Sequence, residues 1–328
     1  MSISSASRTS IGTGHENQDA CYVGDRRFCV ADGHGPLGRV IAETVCTAMR
    51  VAPEAESYED MFAHADKAVA LLDKIHTVLS GATASVLTVL NDGTCQVGHV
   101  GDSEVRYYDS DEGDGVSLTL DHSASSINEF HRIRALPGAA TFIFAGGLPY
   151  FPRRQVFVKR GTGAPEALGI ATESSSSLGL EEPDDEWVPN PLGGFHYCNV
   201  RSEWSTYIEL YDNRLAVTRA LGDFPMRTGG LIATPSTVTA PPPVAGTTRA
   251  IVLASDGLWD CMHYSEVRAI VRNPECLGNA ELAADRLLAT ANAHATSRFG
   301  GSSDDISIIV VYVKGGYLPP FDPLQENP

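Results

Sequence analysis

A chain of 328 residues, 43% of them apolar, is long enough to bury an ample core in one large domain or two small ones. Its formal charge of −17 works against nucleic acid and anionic membrane surfaces as partners. No apolar run approaches the roughly eighteen residues that cross a bilayer, so no membrane association is expected.

Met1-Ser2-Ile3-Ser4-Ser5-Ala6 shows no basic region running into an apolar stretch, and serine at position two excludes the usual N-myristoylation. Asn17-Gln18-Asp19 then precedes the apolar run Phe28-Cys29-Val30-Ala31, which ends in Asp32-Gly33-His34-Gly35. Apolar residues at 37, 40, 41, 45 and 49 predict a helix over 36–50, and Met61, Phe62, Ala65, Val69, Leu72, Ile75 and Leu79 predict a second over 58–79. The period then changes to two. Strands are expected over 83–90 and 94–100, flanking the hairpin signal Asn91-Asp92-Gly93. After Gly101-Asp102-Ser103 comes a strand over 104–108, and a short helix is expected over 123–135.

Between about 137 and 212 glycine, proline and serine are frequent, and Ser174 to Ser177 run toward the acidic stretch Glu181 to Glu186. Long loops with a few short strands are expected there. Regular patterns resume with strands over 214–218 and 248–254, helices over 265–272 and 279–297, and a last strand over 306–313. Hairpins dominate and the helices come in pairs, which argues for antiparallel sheets with helices packed outside rather than a doubly wound parallel sheet. The cysteines at 21, 29, 46, 95, 198, 261 and 276 form no Cys-x-x-Cys pair, and several lie within apolar runs, so buried reduced thiols and an intracellular location, cytoplasmic or nuclear, are expected.

Four apolar runs or strands share one feature. Each adjoins an aspartate with a neighbour that lets the chain turn: Asp32-Gly33, Gly101-Asp102-Ser103, Asp256-Gly257 and Asp304-Asp305. With Asp19 they form a candidate set of hard-oxygen ligands for Mg²⁺ or Mn²⁺. Such a metal pair can lower the pKa of a water between the ions and direct it at phosphorus. Asp32 is the candidate bridge, Gly33 can offer its carbonyl, and His34 is within reach of a leaving oxygen as general acid.

Asn17-Gln18-Asp19, Asp32-Gly33-His34-Gly35, Gly81-Ala82-Thr83-Ala84, Gly98-His99-Val100-Gly101-Asp102-Ser103, Leu120-Asp121-His122, Glu129 with Arg132-Ile133, Leu215 to Asp223, Leu253 to Asp260 and Asp304-Asp305-Ile306-Ser307 together resemble the ordered motif series of the metal-dependent protein phosphatase 2C family. The likeness extends from about residue 10 to 315. It implies a single catalytic domain over 1–328 of α+β class, a four-layer α-β-β-α sandwich with two central antiparallel sheets flanked by pairs of helices. It implies hydrolysis of phosphoserine and phosphothreonine in phosphoprotein substrates by a monomer that uses two Mn²⁺ or Mg²⁺ ions and a third, looser one. By position, Asp32, Asp256 and Asp304 match ligands of the metal pair with the Gly33 carbonyl, Asp19 and Gln18 match the amino-terminal acidic motif, and Asp102, assisted by Asp260, matches the third site. His34 matches the general acid.

The chain departs from the family pattern in three places. Gln18 replaces a frequent glutamate, so a water-mediated contact is expected there. Gly14 stands where some members place a phosphate-gripping arginine, with Arg8 and Arg39 the candidates to replace it, so the phosphate-binding group is unassigned. The segment at about 137–212, the flap beside the active site in the family, is enlarged. A catalytically silent binding module of the same fold and a hydrolase of small phosphoesters are the competing functions. The first is disfavoured by aspartate at all three principal ligand positions, and comparing phosphopeptide with small-phosphoester kinetics separates the second.

Overall fold

A computed structural model describes residues 1–14, 16–144, 154–159, 187–190, 206–299 and 303–316. The last strand, Ile306–Lys314, organises the rest. Its first eight residues are all buried, and they alternate between two cores. Ile309, Val311 and Val313 face Phe28, Val30, Leu87, Val97, Ile251 and Leu253 in a cluster between two sheets. Ile306, Ile308, Val310 and Tyr312 face the opposite way, onto Trp259, Val267, Ala284, Leu287 and Ala291 of the late helices. A period-two pattern that is apolar on both faces is what a strand covered on both sides requires.

That strand sits in a five-stranded antiparallel sheet, beside Ser2–Ser10 on one side and Thr248–Ala254 on the other, followed by Glu104–Tyr108 and Val116–Ser117. The second five-stranded sheet runs Ser236–Ala240, Cys95–Val100, Ala84–Val89, Arg27–Ala31, Ala20–Val23, also antiparallel. Its outer face (Cys29, Ala31, Ala84, Val86) is covered by helices Gly38–Val51 and Tyr58–Val69 through Ile41, Val45, Met49, Phe62 and Ala65. On the first sheet the covering helices are Asp256–Cys261, Tyr264–Val271 and Ala280–Phe299. The α+β class with antiparallel sheets therefore matches the sequence expectation.

Several boundaries differ. The second helix ends at Val69, ten residues early, and tight turns over 70–77 carry the chain onward with Lys74 at φ 62°. Ile75 is still fully buried, so the apolar spacing marked burial correctly while a series of turns satisfied it in place of a helix. Ser2–Ser10 is a strand that the serine-rich sequence did not announce, because only Ala6 is buried along it.

In the enlarged region, Thr141–Phe144, Arg154–Gln155, Thr206–Leu210 and Asn213–Leu215 form a four-stranded sheet, and Phe157–Lys159 pairs with Trp187–Pro189. Phe130 of helix Ile127–Arg134 packs against Phe142, Phe157 and Trp187 at centroid distances of 5.2, 4.5 and 5.2 Å. Short strands were expected here. Ser174 to Ser177 and Glu181 to Glu186 lie outside the described residues. Among the described cysteines five are buried and none is bonded, as expected of reduced thiols, and Cys198 falls outside them. Among the described residues no helix is long and apolar enough to cross a membrane.

Candidate active site

The aspartates singled out from sequence meet at one end of the paired sheets. Asp32 follows Arg27–Ala31, Asp102 follows Cys95–Val100, Asp256 follows Thr248–Ala254 by one residue, and Asp304 precedes Ile306–Lys314. Antiparallel register aligns these ends within each sheet: Val30 opposes Ser85 and Ala84 opposes Val100 in one, and Ala254 opposes Ile308 in the other. Burial drives the Asp32 carboxyl well above the usual range, and the charges that add to this are Asp19, Asp256, Asp304 and Asp102. Five predicted ligand positions thus act on one another.

Asp19 is 2% exposed. Burial, opposed by hydrogen bonding from Ser255 and reinforced by Asp256, pushes it up to about 7. Its Oδ2 accepts from Ser255 Oγ at 2.7 Å, while its Oδ1 is buried with no hydrogen-bond donor. Asp304 opens to solvent on one side, yet the desolvation of its carboxyl and the nearby Asp256 push it up to about 6. Asp256 is the first residue of helix Asp256–Cys261, and Asp260 lies one turn along the same face.

Among the described residues no three His, Cys, Asp or Glu side chains close to the spacing of an ion's ligand shell. The donor set nevertheless fits a hard divalent cation. It is all oxygen, its carboxylates destabilise one another as anions, and a buried Asp19 oxygen has no donor of its own.

Gly33 is required by close approach. A Cβ there would lie 2.2 Å from the Gly38 carbonyl oxygen and 2.6 Å from that of Gln18. Both contacts are backbone, so Gly33→Ala is expected to cost about 1–3 kcal/mol by overpacking. It should also shift the adjacent Asp32, so Mn²⁺ should bind more weakly. Thermal denaturation with and without Mn²⁺ measures both; an unchanged melting temperature would contradict the contact.

Gln18 makes direct contacts to protein groups. Its Nε2 donates to the Gly35 carbonyl at 2.7 Å and its backbone N–H donates to Asp305 Oδ2 at 2.7 Å. Asp305, which also accepts from Gly12 N at 2.8 Å, is thereby a brace for the amino-terminal segment. Neither arginine candidate is free for phosphate. Arg8 pairs with Glu281 and Asp285 at 2.5 Å each, and Arg39 donates to the carbonyls of Asn17 and Asp19 and to Glu43.

Asp223 Oδ2 lies 2.7 Å from His34 Nε2, across 189 positions of sequence. Arg219 meets Glu129, as does Arg132.

The family model for protein phosphatase 2C matches residues 8–143 and 197–298. The chain belongs to the protein phosphatase 2C family. Members are metal-dependent serine/threonine protein phosphatases, and that is the enzyme class of this chain. Probable protein phosphatase 2C 61 of Arabidopsis thaliana is 24% identical over 88% of this chain and 76% of its own length. Probable protein phosphatase 2C 32 of rice, Oryza sativa, is 32% identical, but over 46% of this chain and only about a third of the rice protein, 34%. Among solved structures, a serine-threonine phosphatase 2C from Toxoplasma gondii is similar with a TM-score of 0.61 at 17% identity, over 95% of each chain. The catalytic domain of the phosphatase PstP in complex with two manganese ions gives 0.52 at 18% identity, over 95% of this chain and 98% of that one. These likenesses support the fold.

Proposed function

We propose that this chain removes phosphate from phosphoserine and phosphothreonine in proteins, as one catalytic domain over 1–328 with an enlarged flap at about 137–212. The observation that carries this reading is the convergence of Asp19, Asp102, Asp256 and Asp304 on Asp32. Asp32, Asp256, Asp304 and the Gly33 carbonyl would hold a pair of Mn²⁺ or Mg²⁺ ions, with Asp19 beside them and Asp102 and Asp260 at a third, looser ion. Bound there, the ions would supply positive field and a water of lowered pKa. Family membership and the PstP relative with two manganese ions support that assignment. His34, 29% exposed at its side chain, borders the open side, where it can donate a proton to the departing oxygen. The buried unbonded cysteines favour a reducing, intracellular compartment.

Phosphate release from phosphothreonine peptides is the test. It should require Mn²⁺ or Mg²⁺, stop with EDTA, and be far slower on phosphotyrosine peptides. Absence of metal-dependent release would leave the chain as a binding module. If His34 is the acid, His34→Ala should slow a phosphothreonine peptide by about 10²-fold and an aryl phosphate, whose leaving group needs little protonation, far less. Equal slowing would assign His34 to another task.

A further inference from the structure

Asp223 combines three features that a corner brace does not need. It is fully buried, its backbone is left-handed at φ 46°, ψ 40°, and one carboxylate oxygen, Oδ1, is buried with no hydrogen-bond partner. A non-glycine residue in that region and an unpaired buried oxygen each raise the free energy of the fold. Such costs persist where the surroundings over-determine them, and here three very short strands do so. Leu221–Gly222 pairs with Gly81–Ala82, which pairs on its other edge with Gly33–His34. Gly222 and His34 therefore both oppose Gly81, and the next residue, Asp223, reaches the imidazole. A Cβ at Gly81 would meet Asp223 Oδ2 at 2.1 Å, so glycine there clears the path of the carboxylate. Asp223 N donates to the Ser80 carbonyl at 2.8 Å, and Ser80 Oγ donates to the His34 carbonyl at 2.8 Å, fixing both backbones to one residue.

We propose that Asp223 is the positioning residue of His34: it accepts the Nε2–H, fixes the ring, and leaves Nδ1 as the nitrogen that gives its proton to the leaving seryl or threonyl oxygen. This rests on the reading of His34 as the acid. In that step a water oxygen bonds to phosphorus and the bond from phosphorus to the side-chain oxygen breaks. The electron pair leaves with that oxygen, which takes the Nδ1 proton and becomes the free alcohol. The imidazole keeps Nε2–H on Asp223 and regains its Nδ1 proton from the consumed water. An oriented imidazole held by a buried carboxylate is a device other hydrolases use for the same purpose.

The test is a double-mutant cycle with His34→Ala and Asp223→Gly, read on a phosphothreonine peptide and on p-nitrophenyl phosphate with Mn²⁺. Glycine suits the left-handed backbone, and Asp223→Asn, which also tolerates it, carries the same cycle if the glycine variant does not fold. Asp223→Gly should lower kcat on the peptide by about 10- to 100-fold with little change in KM, and should slow the aryl phosphate far less. In the His34→Ala background it should cost the peptide almost nothing more. In metal-free protein, ¹⁵N-histidine spectra should show His34 protonated at Nε2 with a far-downfield proton that Asp223→Gly abolishes. Additive losses, equal slowing of both substrates, or an unaltered His34 signal would overturn the proposal. If His34→Ala itself slows both substrates alike, the acid role fails first and this proposal fails with it. If only His34→Ala discriminates between them, the acid role stands and Asp223 is a brace.

Discussion

Asp32→Asn should reduce phosphopeptide turnover to background while leaving the metal-free fold as stable as the parent or more so. The substitution keeps the shape of the side chain and removes a carboxyl whose ionisation is opposed by burial and by four other carboxylates. Metal-free protein should therefore melt no lower than the parent. With Mn²⁺ the order should reverse, because a ligand held only by the native state stabilises it by about 2.7 kcal/mol at a hundred times its Kd, and the variant should lose that increment. Asp256→Asn should behave likewise. Protons compete for the same oxygens. Asp19, raised from 3.8 to about 7, and Asp304, raised to about 6, bind protons in the native state that the unfolded chain has already released. Their contribution to the metal-free fold thus falls as pH rises from about 4 to about 7, whereas Mn²⁺ affinity rises over that interval. Melting curves with and without Mn²⁺ from pH 5 to 7.5 read both slopes. Near-native turnover with unchanged Mn²⁺ dependence in either variant would sink the assignment.

The gathering of the aspartates was legible because its signals are local. An aspartate at the end of an apolar strand, next to a residue that lets the backbone turn, can be seen in four or five letters, and Asp32, Asp102 and Asp256 each carry that mark. The partner of His34 was not legible. Asp223 finds His34 through strands of two residues each, too short for any periodicity, and the contact spans 189 positions. The first strand escaped for a different reason. Ser2–Ser10 lies at the edge of its sheet and buries only Ala6, so its composition reads as a polar tail although it pairs with Ile306–Lys314 along its whole length. Gln18 shows a third limit: which group its amide meets depends on how closely Gly33 and Gly38 approach each other.

Glu129→Ala should be the most destabilising single change outside the aspartate cluster, at about 3 kcal/mol, because it leaves two arginines without their counter-ion. Glu129 is 3% exposed. Arg219 reaches its Oε1 through Nε and Nη2 at 3.1 and 2.6 Å, Arg132 reaches Oε2 at 3.1 and 2.6 Å, and Thr218 Oγ1 donates to Oε2 at 2.9 Å. Each arginine also holds a carbonyl, Arg132 that of Gly230 and Arg219 that of Thr234, so the cluster ties helix Ile127–Arg134 to the chain on either side of Asp223. Loss of Glu129 should therefore loosen the corner that carries Asp223 as well as lower stability. Burial alone would raise the Glu129 pKa, but the hydrogen bonds from Arg219 and Arg132 outweigh it and pull the carboxyl from 4.5 down to about 2. A depressed acid stabilises the fold above its unfolded pKa, and that stability is lost as pH falls through the folded value. The melting temperature of Glu129→Gln, which keeps the shape without the charge, should then trail the parent by the most near pH 6 and converge on it between about pH 4.5 and 2. His99, whose burial lowers it to about 4, titrates in both proteins and cancels in the difference, whereas His122, lowered by burial to about 2, feels the Glu129 charge and responds only at the acid end of that range. A gap between the two melting curves that stayed constant over that range would mean that the pair of arginines does not hold Glu129 as an anion.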